Sequence, residues 1–221
     1  MGAATIGDFV KIHAGFFPVP WFSSGTLAIE IRGARALQNC ALWLRWIAMT
    51  IRNIILHPDP RLKKIATPVV DLSDDLRLLA NDMLETMYEA PGIGLAAPQV
   101  GTLQRLIVLD CVKEEGAEAR PLVMFNPEVT AASDDLSVYD EGCLSIPEFY
   151  AEVTRPAEVS VRWIDMDGAE QNENFHGLWA TCVQHEIDHL NGKLFIDYLR
   201  PLKRQMITRK MQKLKREMAR E

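Results

Sequence analysis

The chain has 221 residues, 48% of them hydrophobic and 24% charged, which suits one ordinary domain, with or without an appendage, and excludes a disordered or collagen-like protein. No apolar run is long enough to span a bilayer: the best, residues 36–49, is broken by Gln38, Asn39 and Arg45. Four cysteines (Cys40, Cys111, Cys143, Cys182) do not make a disulfide scaffold in a chain this long, and no secretory signal is evident, so a soluble protein in a reducing compartment is expected.

The net charge of −6 is unevenly spread. Residues 1–48 carry +2 and residues 200–221 carry +7, which leaves −15 on residues 49–199. An acidic body with a basic tail argues against a general nucleic-acid binder, yet leaves the tail able to touch one.

Residues 1–48 hold three of the five tryptophans (Trp21, Trp43, Trp46), and Gly, Pro and Ser interrupt every candidate period. A regular pattern begins at Met49. Residues 51–56 are a predicted strand, and His57-Pro58-Asp59-Pro60 a predicted turn, because each proline biases its predecessor away from the helix. Ser73 is placed to cap a helix whose first turn holds Asp74 and Asp75, where the dipole favours negative charge. Leu76, Leu79, Ala80, Met83, Leu84 and Met87 continue it at helical spacing until Pro91-Gly92. Short strands are expected at residues 105–110, 122–125, 151–154 and 159–164. A second helix should run from Gly177 to about Asn191-Gly192, and a third, basic and exposed, from Pro201.

The strongest chemical signal is His185-Glu186-Ile187-Asp188-His189. Residues four apart share a helix face, so both imidazoles can reach one metal ion, with Glu186 beside them to handle protons. Leu178, Cys182, His185, Glu186 and His189 fall on one side, and Val183, Ile187 and Leu190 on another. That pattern predicts a core helix with one face lining a pocket.

A third ligand decides the chemistry. In HExxHxxGxxH proteases it is a histidine, and here that position is Phe195, although Gly192 stands at the glycine. The only downstream glutamates are Glu217 and Glu221, both in the basic tail. Upstream, Glu141-Gly142-Cys143-Leu144-Ser145 lies on an expected loop, and Cys143 would complete a Cys/His/His set with one position open for water. A lone cysteine is more often a small buried residue, and spacing alone leaves both readings of Cys143 open. A third segment, Gly92-Ile93-Gly94-Leu95-Ala96-Ala97-Pro98-Gln99-Val100-Gly101, has glycines that admit close backbone approach and an amide donor at Gln99.

Taken together and in order, GIGLAAPQVG, EGCLS and QHEIDHLNG resemble the three signature motifs of the peptide deformylases, from about Met49 to the C-terminus. The resemblance, with the element order above, implies an α+β fold: small antiparallel or mixed sheets around a central HExxH helix, with an N-terminal helix and a C-terminal basic helix. It implies a metal-dependent amidohydrolase that removes the formyl group from the N-terminal formyl-methionine of new chains. Cys143, His185 and His189 would hold one divalent ion, and Glu186 would act as base and then acid. Gln99 and the Leu144 backbone N–H would stabilise the developing oxyanion. Gly92, Ile93, Gly94, Tyr139, Glu141, Leu178 and Cys182 are the expected substrate-binding residues. A thiolate with two imidazoles suits zinc, iron, cobalt or nickel; the resemblance implies Fe(II), with Zn(II), Ni(II) or Co(II) able to substitute. Many bacterial members carry an arginine shortly after the cysteine motif, where this chain has Phe149-Tyr150, so peptide contacts there are expected to differ. The rival readings are an HExxH metallopeptidase and a catalytically inactive metal- or peptide-binding relative.

The expected partners are formylated nascent peptides, with no DNA and no membrane span, and a monomer in the cytoplasm rather than an organellar matrix. The tail reads either as a solvated helical face or as a ribosome contact, with Leu202, Met206, Ile207, Met211, Leu214 and Met218 at docking spacing. Residues 49–221 form the expected catalytic domain. Residues 1–48 read as a start assigned too far upstream, a genuine extension, or a transit peptide.

Overall fold

The computed structural model describes residues 50–112 and 116–220, so the expectations for residues 1–48 lie outside the described residues. Among the described residues, seven strands, β1 (Gly94–Ala96), β2 (Leu106–Leu109), β3 (Leu122–Ala132), β4 (Leu136–Cys143), β5 (Ile146–Pro156), β6 (Glu158–Ile164) and β7 (Glu170–His176), accompany three α-helices, α1 (Asp74–Glu89), α2 (Gly177–Leu190) and α3 (Pro201–Met218). The strands form an antiparallel five-stranded sheet of order β1-β2-β3-β6-β7 and a separate β4-β5 hairpin.

The run Leu-Ile-Val-Leu in β2 lacks polar alternation because both faces of the strand are covered. Ile107 and Leu109 join Val183, Ile187 and Leu190 of α2 in one core. Leu106 and Val108 join Leu79, Met83 and Met87 of α1 in another. The sheet is therefore sandwiched between α1 and α2. A third core packs Ile146, Ala151 and Val153 of the hairpin against Phe195, Ile196 and, from α3, Ile207 and Met211.

Local signals agree with the helix ends. The Ser73 hydroxyl accepts from the Leu76 N–H at 3.3 Å, with Asp74 and Asp75 in the first turn of α1. Gly192, just past α2, has φ +70°, and a Cβ there would lie 2.5 Å from the Lys63 carbonyl oxygen. Only glycine suits that left-handed position against so close a backbone.

Several elements differ from expectation. Residues 51–56 join no strand ladder. Their neighbours are α1 and a 3₁₀ turn: the Ile55 N–H donates to the Gln99 carbonyl at 2.7 Å, and the Arg52 N–H to the Thr86 hydroxyl at 2.8 Å. The edge strand β7 was not expected because Phe175 is its only buried residue. β4 was missed because Leu136 and Val138 face solvent. Its end overturns the loop expected at residues 141–145: Glu141–Cys143 finish β4, and Leu144-Ser145 is the turn into β5. Half the expected docking stripe of α3 packs, with Ile207 and Met211 buried and Leu214 half-buried, while Leu202, Met206 and Met218 stay exposed.

The Gly192 geometry predicts that Gly192→Ala lowers the unfolding free energy by about 1–3 kcal/mol from backbone strain alone, and by more if Lys63 cannot shift. Gly168→Ala, at φ +85° with nothing within 4 Å of a Cβ, should cost less, as urea denaturation of the two variants would show.

Candidate metal centre

The one-turn spacing of His185 and His189 on α2 puts their ring centroids 5.0 Å apart. The hairpin brings Cys143 to them, its Sγ 3.2 Å from His189 Nε2. The donor atoms of Cys143, His185 and His189 all lie within 4.8 Å of one another. One thiol and two imidazoles converging from two elements fit a single borderline-soft divalent ion. Phe195, where the extended protease motif needs histidine, stacks on His185 with ring centroids 6.2 Å apart.

His185 Nδ1 donates to Glu141 Oε2 at 2.8 Å, which leaves Nε2 on the cysteine side. Burial would lower the His185 pKa, but hydrogen bonds with Cys143 and Glu141 outweigh it and raise it in the metal-free protein. His189 is pushed well below the usual range by burial and then by the charge of His185, so it stays neutral with a lone pair to donate. Burial likewise pushes the Glu186 carboxyl up to about 7, against the pull of His185. Glu186 Oε2 is buried with no hydrogen-bond partner among the described residues. Such an oxygen is costly unless a bound group completes it.

Gly94 explains why that carboxylate can sit where it does. A Cβ on Gly94 would collide with Glu186 Oε1 and lie 2.9 Å from Cys182 Sγ, so β1 runs its bare backbone against the helix. The following 3₁₀ turn orients Gln99: its Oε1 accepts from the Ala96 N–H at 2.8 Å, which turns Nε2 toward Cys143 Sγ at 3.5 Å and Ser145 Oγ at 3.2 Å.

A cavity of about 590 Å³ opens over these groups. Gly92, Ile93, Gly94, Gln99, Tyr139, Leu144, Leu178, Cys182, His185 and Glu186 line it, as do Phe149 and Tyr150. The structure thus brings the three motifs to one place. Glu141, expected to bind substrate, also borders the cavity, but both its oxygens are engaged by His185 and Arg155. Its carboxylate is held between His185 and Arg155 rather than standing free.

Sequence reasoning missed Arg155. Nε and Nη2 donate to Glu141 at 2.6 and 3.0 Å, and Nη1 donates to Asp188 Oδ2 at 2.7 Å. The available signal was register: in β5 Ala151, Val153 and Arg155 alternate inward, so a charge stands where an apolar residue is due.

The polypeptide deformylase family model matches residues 51–205. A peptide deformylase of Rhizobium meliloti is 58% identical over 165 residues, 75% of this chain and 94% of that protein. One from Afipia carboxidovorans is 56% identical over 75% of this chain and 96% of its own length. Among solved structures, the Legionella pneumophila peptide deformylase superposes with TM-score 0.71 at 46% identity, covering 78% of this chain and 99% of that one. The Ehrlichia chaffeensis enzyme in complex with actinonin gives 0.73 at 38% identity, over 76% and 99%. With relatives this similar over nearly their whole length, the chain belongs to the polypeptide deformylases, metal-dependent amidohydrolases that free new polypeptides of their N-terminal formyl group.

Proposed function

We propose that the chain hydrolyses the formamide bond of N-terminal formyl-methionine using a divalent ion held by Cys143, His185 and His189, with Glu186 moving the protons. The observation that carries this reading is the convergence of one thiol and two imidazoles beside a buried carboxylate that lacks a partner among the described residues. When bound, the ion would lower the pKa of a water to roughly 7–9 and so supply hydroxide near neutral pH.

Glu186 takes the proton that this water releases. Oxygen attack on the formyl carbon puts negative charge on the carbonyl oxygen, and Gln99 Nε2 and the Leu144 backbone N–H are the donors proposed to stabilise it. The C–N bond then breaks as Glu186 returns its proton to the amine nitrogen, leaving formate and a free N-terminus. Burial raises the Glu186 carboxyl from its ordinary range, which favours its carrying a proton between the two steps. Formyl is the smallest acyl group, and the tight passage of Gly94 against Glu186 and Cys182 supports a slot that excludes acetyl. Ile93, Tyr139, Leu178 and Cys182 offer the apolar wall for the methionine side chain.

Glu186→Gln should keep a full complement of metal and lower kcat by on the order of 10²–10⁴. Cys143→Ala should lose the metal, read by elemental analysis. A metallopeptidase with a different third ligand would keep its metal in that variant.

The thiolate-imidazole set and the family support Fe(II) as the working ion, with zinc, nickel or cobalt able to occupy the same donors. Protein purified without oxygen should contain iron, and metal-free protein reloaded with Fe(II) should deformylate faster than protein reloaded with Zn(II). Full activity with zinc alone would contradict this.

Residues 49–221 form the proposed catalytic domain, supported by a family match that starts at residue 51. A cytoplasmic monomer is the proposed state; no helix among the described residues is long and apolar enough to cross a membrane. The basic face of α3 is a proposed ribosome contact. Because Ile207 and Met211 are core residues, removing the tail would disturb the fold, so charge reversal is the cleaner test. Replacing exposed Lys203, Arg209, Lys213 and Arg216 by Glu should weaken ribosome binding by about tenfold or more at low salt. Turnover of a short formyl peptide should not change.

A further inference from the structure

Arg155 is more elaborately held than a buried cation needs to be. Its side chain is 5% exposed, it forks onto both oxygens of Glu141, and its third nitrogen reaches Asp188. The Tyr198 ring lies under the guanidinium at 4.9 Å, and the Tyr198 hydroxyl donates to Asp188 Oδ2 at 2.8 Å. Replacing a buried ion pair with apolar residues is often neutral or stabilising, so stability alone is a weak reason to keep this network.

We infer that Arg155 is a positioning residue for the metal site, holding His185 in its ligating orientation through Glu141, with Asp188 and Tyr198 fixing Arg155 in turn. The inference rests on reading Cys143, His185 and His189 as metal donors. Its basis is a closed ring. Arg155 grips Glu141, Glu141 receives the His185 Nδ1–H, and α2 carries the chain from His185 to Asp188, which returns to Arg155. A single hydrogen bond would let the imidazole swing about its χ angles, whereas a ring closed through the ligand's own helix does not.

The two histidines are unequal in this respect. His189 Nδ1 has no hydrogen-bond partner among the described residues, so orientation by a carboxylate falls on His185 alone. The planar fork of arginine matches a carboxylate with two parallel bonds, which a lysine ammonium cannot reproduce. The ring also gives a role to Asp188, a position that the HExxH pattern leaves unspecified.

The test is release of cobalt(II) from loaded protein to excess EDTA, followed by the visible absorption of the thiolate-bound ion. Wild type should bind one cobalt per chain, and Cys143→Ala none. Absence of binding to wild type would defeat the donor reading itself, and the inference with it. Arg155→Lys should release cobalt on the order of tenfold faster than wild type, toward the lower end of the 10–100-fold loss of metal affinity that follows when the direct hydrogen-bond partner of a ligand is removed. Tyr198→Phe should fall between the two. Met83→Ala, in the α1 core beyond the sheet, serves as the control for general loosening and should release cobalt at the wild-type rate. Release from both Arg155→Lys and Tyr198→Phe within twofold of wild type overturns the inference, and so does equally fast release from Met83→Ala. Should Arg155→Lys fail to fold, Tyr198→Phe decides alone, because its side chain is half-exposed and its loss leaves no buried charge unpaired.

Discussion

Helix α2 is buried almost all round, yet it carries His185, Glu186, Asp188 and His189 into the interior. Polar groups taken out of water destabilise a fold unless each finds a partner, and charged ones do so strongly. Much of the surrounding architecture can be understood as supplying those partners. The hairpin brings Glu141 to His185, Cys143 to His189 and Arg155 to Asp188. Glu186 Oε2 and His189 Nδ1 are left without a hydrogen-bond partner among the described residues, and buried polar atoms left in that state call for a bound group to complete them.

The two halves of the molecule divide the work. The sandwich of α1, sheet and α2 makes a platform in which β2 buries side chains on both faces. Its first strand passes close to α2 because Gly94 has no side chain, and the turn after it aims the Gln99 amide. The β4-β5 hairpin belongs to a different core, shared with α3 and the 3₁₀ turn Phe195–Tyr198. The site lies where the two cores meet. Its donors are far apart in sequence, so their geometry depends on how platform and hairpin pack.

Where local rules were followed, the elements matched expectation. The Ser73 cap, the helical spacing of the α1 core residues, the glycine stop after α2 and the proline start of α3 all act within a turn or two of chain. Where an element owed its form to a distant neighbour, those rules failed. β7 has one buried residue and exists because β6 pairs with it along its length. Residues 51–56 look like a strand but find side chains of α1 and a 3₁₀ turn instead of a strand edge. EGCLS looks like a loop from its glycine and serine, yet its first three residues complete β4 by pairing with β5.

By itself, the sequence determined that two imidazoles and a carboxylate share one face of a helix, since that needs only the 3.6-residue period. It also determined the family, because three short motifs in order are more specific than any one of them. Only the tertiary structure decided that Cys143 stands 3.2 Å from His189 rather than in a core of its own, since no periodicity links residues 46 apart. The same holds for Glu141, whose carboxylate is held between His185 and Arg155, and for Arg155, which no motif singled out. Their roles arise from packing one folded core against another, and that information lies in the contact between elements rather than in the pattern of either.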